Sequence, residues 1–334
     1  MPDLEADLTA LATEKLFSGA VRVDRAGETQ VAAAFGLAER GFAVPNTLDT
    51  RFGLASAAKG FTALTVAALV RQGVLEVGTP VRAFLGDDLP EVDDRVTVEH
   101  LLAHRSGIGD YLDEDADLDI ADYVMPVPVH ELSTTEGYLA VLASHPQKFP
   151  PGDRFSYCNS GYVVLALVAE RSARTPFHDL VRELVLEPAG MSSTGFLRSD
   201  ELPGGTARGY LGLEGLRTNV LHLPVRGSGD GGIYSTLGDV HAFWRALLDG
   251  RILPLETVED ILRPRSDVPE ERRRYGLGFW LHGTRDAVML EGYDAGVSFR
   301  SVHDRPTSST FTVVSNTSEG AWPLVRYLGE TLLG

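Results

Sequence analysis

Lysine is nearly absent from this chain: Lys15, Lys59 and Lys148 are the only three among 334 residues, and arginine supplies the rest of the 30 basic side chains. Arginine does not deprotonate in proteins and cannot shuttle protons, so each lysine carries unusual information. Cysteine is scarcer still. Cys158 stands alone, which excludes an internal disulfide and argues against a structural zinc cluster. Positive charge is short overall, with 47 acidic residues and a formal charge of −17. Nucleic acids and anionic membrane surfaces both require clustered cations, so neither is an expected partner. No uncharged stretch reaches the ~20 residues of a membrane span. The N-terminal "MPDLEADLTALATEKLF" reads as an acidic amphipathic helix without the basic and apolar regions of a secretory signal. We therefore expect a cytoplasmic protein with no membrane insertion.

What is present is ordinary for a globular enzyme: 43% hydrophobic and 23% charged residues. At this length the expectation is two domains or one composite fold. The most informative stretch is "RFGLASAAKGFTALTVAALVR", in which Lys59 is the only ionisable side chain between Arg51 and Arg71. Spaced i and i+3 on a helix, Ser56 and Lys59 share a face and can touch. Burial among apolar residues disfavours the ammonium form, which turns a lysine into a proton acceptor near neutrality. A serine hydroxyl meeting a neutral amine is a nucleophile with its own base. The plain alternative is a lysine that snorkels to solvent from an amphipathic face.

Two strands are expected in "SGAVRVDRAGETQVAAAFGLAER", turning at Ala26-Gly27-Glu28. The Ser56 helix should stop at Gly73. A short helix with Thr97 as N-cap covers "VTVEHLLAHRSGIGD", and another begins at Asn159 or Ser160. A further helix takes Thr175 as N-cap with Pro176 at its first position. A helix from Ser235 or Thr236 leads into strand candidates "YGLGFWLHG", "DAVMLEGY", "GVSFRSVHD" and "SSTFTVVSN", and a last helix closes the chain. Strands at both ends with helices between imply one shared antiparallel sheet and an α+β fold, with a mainly helical insert. We place the sheet-containing part in residues 1–60 and 225–334 and the helical part in 61–224, within one domain spanning 1–334.

The order of motifs resembles the serine β-lactamase and penicillin-binding-protein superfamily, in its class C-like branch, which also holds esterases and D-aminopeptidases. The resemblance rests on Ser56-x-x-Lys59, "HLLAHRSGI", "FPPGDRFSYCNSGY", "LEPAGMSSTGF", "GGIYSTLGDVHAFWRALL" and "YGLGFW". It implies a β-lactamase/transpeptidase-like sheet flanked by helices. It implies Ser56, Lys59 and Tyr157 as catalytic residues, because Tyr157-Cys158-Asn159 stands where the branch carries Tyr-x-Asn. A phenol near a lysine can relay a proton, and the Asn159 amide can hold a substrate carbonyl and bridge toward Lys59. The plain alternative makes Tyr157 a core aromatic and Asn159 a helix cap.

The third motif departs from the family. Where the resemblance implies Lys or His, a small residue and Gly, this chain reads Leu290-Glu291-Gly292. Without the cation, and with Glu291 beside it, an anionic substrate should be poorly held; Arg300 or Arg226 could compensate. His282-Gly283 fits a hairpin turn better than a substitute motif. Glu291, Gly292 and Tyr293 join Asn159 as substrate-side residues, and the backbone N–H groups of Ser56 and Tyr293 are the expected oxyanion donors. His100 and His104 lack a third ligand, and "DYLDEDADLDIAD" lacks the Gly and Glu of a calcium loop. Cys158 reads as a buried thiol, and "GSGDGGIYS" lacks the lysine of a phosphate loop. No cofactor and no metal is implied. The expected activity is acyl transfer to water from a small ester, amide or peptide. Two alternatives stay open: a β-lactamase or D-amino-acid peptidase with an altered third motif, and a non-catalytic binding homologue.

Overall fold

Ala26 and Gly27, both at positive φ (49° and 84°), close the first hairpin between β1 (Gly19–Arg25) and β2 (Glu28–Phe35). Two such residues match the right-handed twist of paired strands. The structure, a computed structural model, describes residues 3–113, 120 and 122–334. Most of the acidic segment 110–122 that was weighed for calcium therefore lies outside the described residues. The later strands are β3 (Ser266–Val268), β4 (Arg273–Tyr275), β5 (Trp280–His282), β6 (Ala287–Asp294), β7 (Val297–Asp304) and β8 (Ser309–Ser315). Together they form one eight-stranded sheet in the order β2-β1-β8-β7-β6-β5-β4-β3. Every neighbouring pair is antiparallel. Strand β1 pairs with β8 from Gly19 opposite Ser315 to Arg25 opposite Ser309, so the two ends of the chain meet inside the sheet as expected.

"YGLGFWLHG" is not one strand. Tyr275 ends β4 and Trp280 begins β5. Between them the Gly276 amide donates to the Phe279 carbonyl at 3.0 Å, with Gly278 at φ 83°. The apolar run hid a hairpin because glycine supplies the reversal without a polar turn residue.

The helices used below are α1 (Leu4–Glu14), α2 (Ala58–Arg71), α3 (Val98–Leu102), α4 (Asn159–Ala173), α5 (Phe177–Val181), α6 (Leu237–Leu248) and α7 (Trp322–Leu332). Period-two alternation sends successive residues of each strand to opposite faces. On β6, Val288 and Leu290 join the core shared with Phe61, Leu64, Val164 and Phe243 of α2, α4 and α6. Ala287 and Met289 join the core shared with Leu8 of α1 and Leu324 and Leu328 of α7. Helix α2 is apolar nearly all round and lies sandwiched, its Phe61 ring 4.9 Å from that of Phe243.

Capping follows the sequence at α3, where Thr97 and His100 each accept the other's backbone N–H. At α5 it does not. Thr175 bonds back to the Ala173 carbonyl, and the helix begins after Pro176 with the Glu170 carboxylate accepting the Phe177 N–H at 2.8 Å. A carboxylate from the preceding helix outcompetes the local hydroxyl because it brings full charge to the helix start. No helix among the described residues is long and apolar enough to cross a membrane.

Candidate active site

Ser56 sits in a short 3-10 turn, Ala55–Ala57, that feeds α2. The residue before it, Ala55, has φ 46°, a strained conformation for a side chain with a Cβ. Ser56 is half-buried, while Lys59, one helical turn on, is 2 % exposed. The Lys59 Nζ lies 3.0 Å from Ser56 Oγ, 2.8 Å from Asn159 Oδ1 and 2.7 Å from the Asp230 carbonyl oxygen. The lysine does not snorkel. It is drawn inward by three oxygens from three segments of the chain.

Asn159 begins α4 and reaches the lysine across 100 residues of sequence. Its orientation is fixed because Nδ2 donates to the Leu112 carbonyl at 2.9 Å, which leaves Oδ1 for Nζ. The helix start is capped by Asp110, whose carboxylate accepts the backbone N–H groups of Asn159 and Ser160 at 2.7 and 2.8 Å. Burial pushes the Asp110 carboxyl up, and those two amides pull it back.

Tyr157 is half-buried, its ring centroid 4.8 Å from the Lys59 Nζ and stacked on Trp280 at 6.0 Å. The His104 ring also packs against it, ring to ring at 4.3 Å. His104 Nδ1 accepts the Cys158 N–H at 3.0 Å and its carbonyl accepts the Ser156 N–H at 2.9 Å. It thus braces the Tyr157-Cys158-Asn159 segment that leads into α4. Burial and the Lys59 charge hold its imidazole well below the usual range, hence neutral. His100 is spent on the α3 cap, and no cluster of His, Cys, Asp or Glu able to hold a metal exists among the described residues. Cys158 is buried and its thiol is pushed well up by burial.

Strand β6 runs past the nucleophile. A Cβ on Gly292 would collide with the Leu54 carbonyl and lie 3.0 Å from the Ser56 amide nitrogen. Only glycine lets the strand backbone come this close. Leu290, where the resemblance implies a cation, is 3 % exposed and packs on Gly60 of α2. Glu291 and Tyr293 fall on the opposite face. The Glu291 carboxylate is paired with Arg273 of β4 at 2.9 Å and with Arg300 of β7. The two guanidinium charges hold its carboxyl below the usual range despite burial. The repulsion of anions expected from Glu291 is therefore cancelled, and of the two arginines weighed, Arg300 reaches it. Arg226 is engaged elsewhere, with the Phe196 carbonyl. The Tyr293 ring leans on Trp322, its hydroxyl donates to Glu319 at 2.9 Å, and the residue lines the cleft beside Ser56. His282 Nδ1 accepts the amides of Thr284 and Arg285, the turn role expected of it.

The structure thus brings Ser56, Lys59, Asn159, Gly292 and the Tyr157 ring together and turns the Glu291 side chain away. It adds three residues that sequence reading missed: Asp110, Tyr111 and Asp230. The Tyr111 hydroxyl donates to the buried Asp230 carboxylate. Asp230 lies in the glycine-rich run, whose purpose becomes visible here. Gly227 and Gly232 touch backbone to backbone, Gly229 abuts the Tyr162 carbonyl of α4, and Thr62 of α2 donates to the Gly229 carbonyl at 2.7 Å. The run is a folded shelf that delivers one carbonyl to Lys59. The lone charge in a glycine-rich segment was the available signal. Ser56, Tyr111, Leu112, Asn159, Asp230 and Asp294 are among the residues lining a cleft of about 230 Å³.

The sheet is backed by a buried helix, with Ser56 in the turn before it and Lys59 in its first turn, and this architecture is shared with known penicillin-binding proteins. The chain belongs to the Beta-lactamase family, whose sequence model matches residues 4–327. It is 36% identical over 200 residues to esterase EstB of Burkholderia gladioli, covering 57% of this chain and 50% of that protein. It is 29% identical over 278 residues to a D-aminopeptidase of Brucella anthropi, covering 80% of this chain and 49% of that one. The chain thus spans about half the length of these curated relatives. A penicillin-binding protein from Bacillus halodurans superposes with a TM-score of 0.91 at 34% identity, covering 97% of this chain and all of that one.

Proposed function

We propose that this chain is a serine hydrolase that acylates Ser56 and releases the acyl group to water. The observation that carries the reading is the set of partners around Lys59 Nζ. An amide oxygen and a peptide carbonyl can only accept, so in the neutral amine they take its two N–H bonds. With those bonds made, the lone pair can turn to Ser56 Oγ at 3.0 Å and receive the hydroxyl proton. Ser56 Oγ bonds to the substrate carbonyl carbon while its proton passes to Nζ. Tyr157, beside the lysine, relays that proton toward the leaving group. The N–H groups of Ser56 and Tyr293 take the oxyanion, each donor being worth about 2.7–4 kcal/mol in the transition state. The closeness of Gly292 to the Ser56 amide supports that assignment.

The substrate is an uncharged or cationic ester or amide. Asp230 and Asp294 line the cleft, and Lys148 is paired with Asp113 at its edge. Leu290 fills the place where the family's carboxylate-binding cation would stand. Similarity to an esterase and a D-aminopeptidase supports the same class. A fluorophosphonate probe should add once to the protein by intact mass, and Ser56→Ala should abolish the adduct. Turnover of p-nitrophenyl butyrate should exceed that of nitrocefin by at least tenfold. Equal rates would favour the β-lactamase reading, and no adduct with no turnover would favour a binding protein.

A further inference from the structure

The mechanism above uses only the peptide carbonyl of Asp230, yet its side chain is 7 % exposed and accepts the Tyr111 hydroxyl beside the nucleophile. A buried carboxylate on the same residue that touches Nζ needs a reason. We propose that Asp230, held by Tyr111, is a positioning residue that sets the pH at which Lys59 becomes a base, its carboxylate being the counter-charge of the ammonium that forms when Ser56 attacks. The inference rests on the Ser56–Lys59 reading and extends it. As the Ser56 O–H bond breaks and the bond to the substrate carbon forms, the proton arriving on Nζ creates a buried cation. The Asp230 carboxylate stabilises that cation, and the proton later leaves with the departing alcohol or amine.

The Asp230 carboxylate feels the charge of Lys59 directly. Burial pushes its carboxyl up, and Lys59 is the strongest influence drawing it back down. Facing Lys59 are His104, held well below its usual range, and Cys158 and Tyr162, both pushed well up by burial. All three are neutral near pH 7, and the Tyr157 ring offers its face to Nζ. Facing Asp230 are Tyr111, Tyr123 and Tyr138, each pushed up by burial and by this carboxylate. Three other carboxyls are near, of which Asp113 at the cleft edge is paired with Lys148 at 2.7 Å. Asp110 is spent on the amides that begin α4, and Asp294 lies across the cleft at the end of β6. Among these, Asp230 is the one whose own backbone is bonded to Nζ.

The test is the pH profile of kcat/KM for p-nitrophenyl butyrate in wild type, Asp230→Asn and Tyr111→Phe, with fluorophosphonate labelling rates measured alongside. Asp230→Asn keeps the shape and the Tyr111 bond but removes the charge. Its acid limb should move to lower pH by about one unit, the scale of an opposite charge lost at close range. Its plateau should fall by about tenfold or more, because the base is weaker. Tyr111→Phe leaves the carboxylate less stabilised and should move the limb the same way by a smaller step. Acid limbs that stay put while rates fall equally at every pH overturn the proposal, as does a shift to higher pH. Should Asp230→Asn not fold, the Tyr111→Phe limb decides alone. Labelling that survives in Ser56→Ala would remove the acyl-enzyme reading itself, whereas its loss with unmoved limbs removes only the role of Asp230.

Discussion

Lys59 shows how one buried amine organises several segments. Three of its oxygen partners come from a position three residues away, from one 100 residues away and from one 171 residues away. Lys59→Met keeps the length and apolar stem but leaves no proton acceptor. A positioned base contributes about 10²–10⁴ in rate, so kcat on a p-nitrophenyl ester should fall by about a thousandfold. Circular dichroism should remain native, since methionine suits the apolar bed of α2. A variant that keeps more than a tenth of the rate would transfer the base role to Tyr157. The sequence made Ser56 and Lys59 legible because helical spacing is local. It made Asn159 legible through the motif order. Asp230 and Tyr111 were not legible, because their pairing spans 119 residues and each stands in a segment without periodicity.

Strand β6 carries two messages on two faces. On the inner face, Gly292→Ala would press a methyl into the Leu54 carbonyl and against the Ser56 amide. Backbone has little room to yield, so the oxyanion donors shift; kcat/KM should drop at least a hundredfold, the scale of one lost donor. The readout is the labelling rate of Ser56, which should fall in step. On the outer face, Glu291 ties β4, β6 and β7 together through Arg273 and Arg300. Glu291→Gln leaves two part-buried guanidinium groups facing each other, with Glu271 still beside Arg273 at 3.2 Å. Removing one partner of a buried pair costs about 3–5 kcal/mol, and partial exposure here reduces that to roughly 2 kcal/mol. Chemical denaturation should show the loss, while KM for a neutral ester should not move. A raised KM with unchanged stability would return Glu291 to the substrate side. Alternation made the strands readable, and counting by two already separates Glu291 from Gly292. What the alternation could not show was the guanidinium pair, because Arg273 belongs to a strand that begins in the arginine run before the apolar stretch, outside the expected strand.

At the scale of the whole molecule the buried histidines set the acid limit of the fold. Burial holds His178 and His303 at about 4, and it also lowers His241, whose Nδ1 meets Asp24 at 2.7 Å beneath the sheet. The unfolded chain takes up these protons near the ordinary value of about 6.5. Between there and about 4 it therefore binds more protons than the native state, and stability falls as pH falls. Asp24, held low mainly by bonds to His241 and Arg22 against its burial, adds a second loss below the ordinary carboxyl range. Asp110 and Asp230 act in the opposite sense: their raised carboxyls gain a proton in the native state first, which offsets part of the loss near the bottom of that window. The upper part belongs to the histidines. His178→Gln keeps a donor for the Gly227 carbonyl, which the ring now meets at 2.8 Å, and removes the titration. The difference in Tm between about pH 7.5 and about pH 5 should therefore be smaller in His178→Gln than in wild type, and smaller again with His303→Gln added. An undiminished gap in the double variant would place the acid sensitivity outside these two residues, in His104, His241 or the carboxylates.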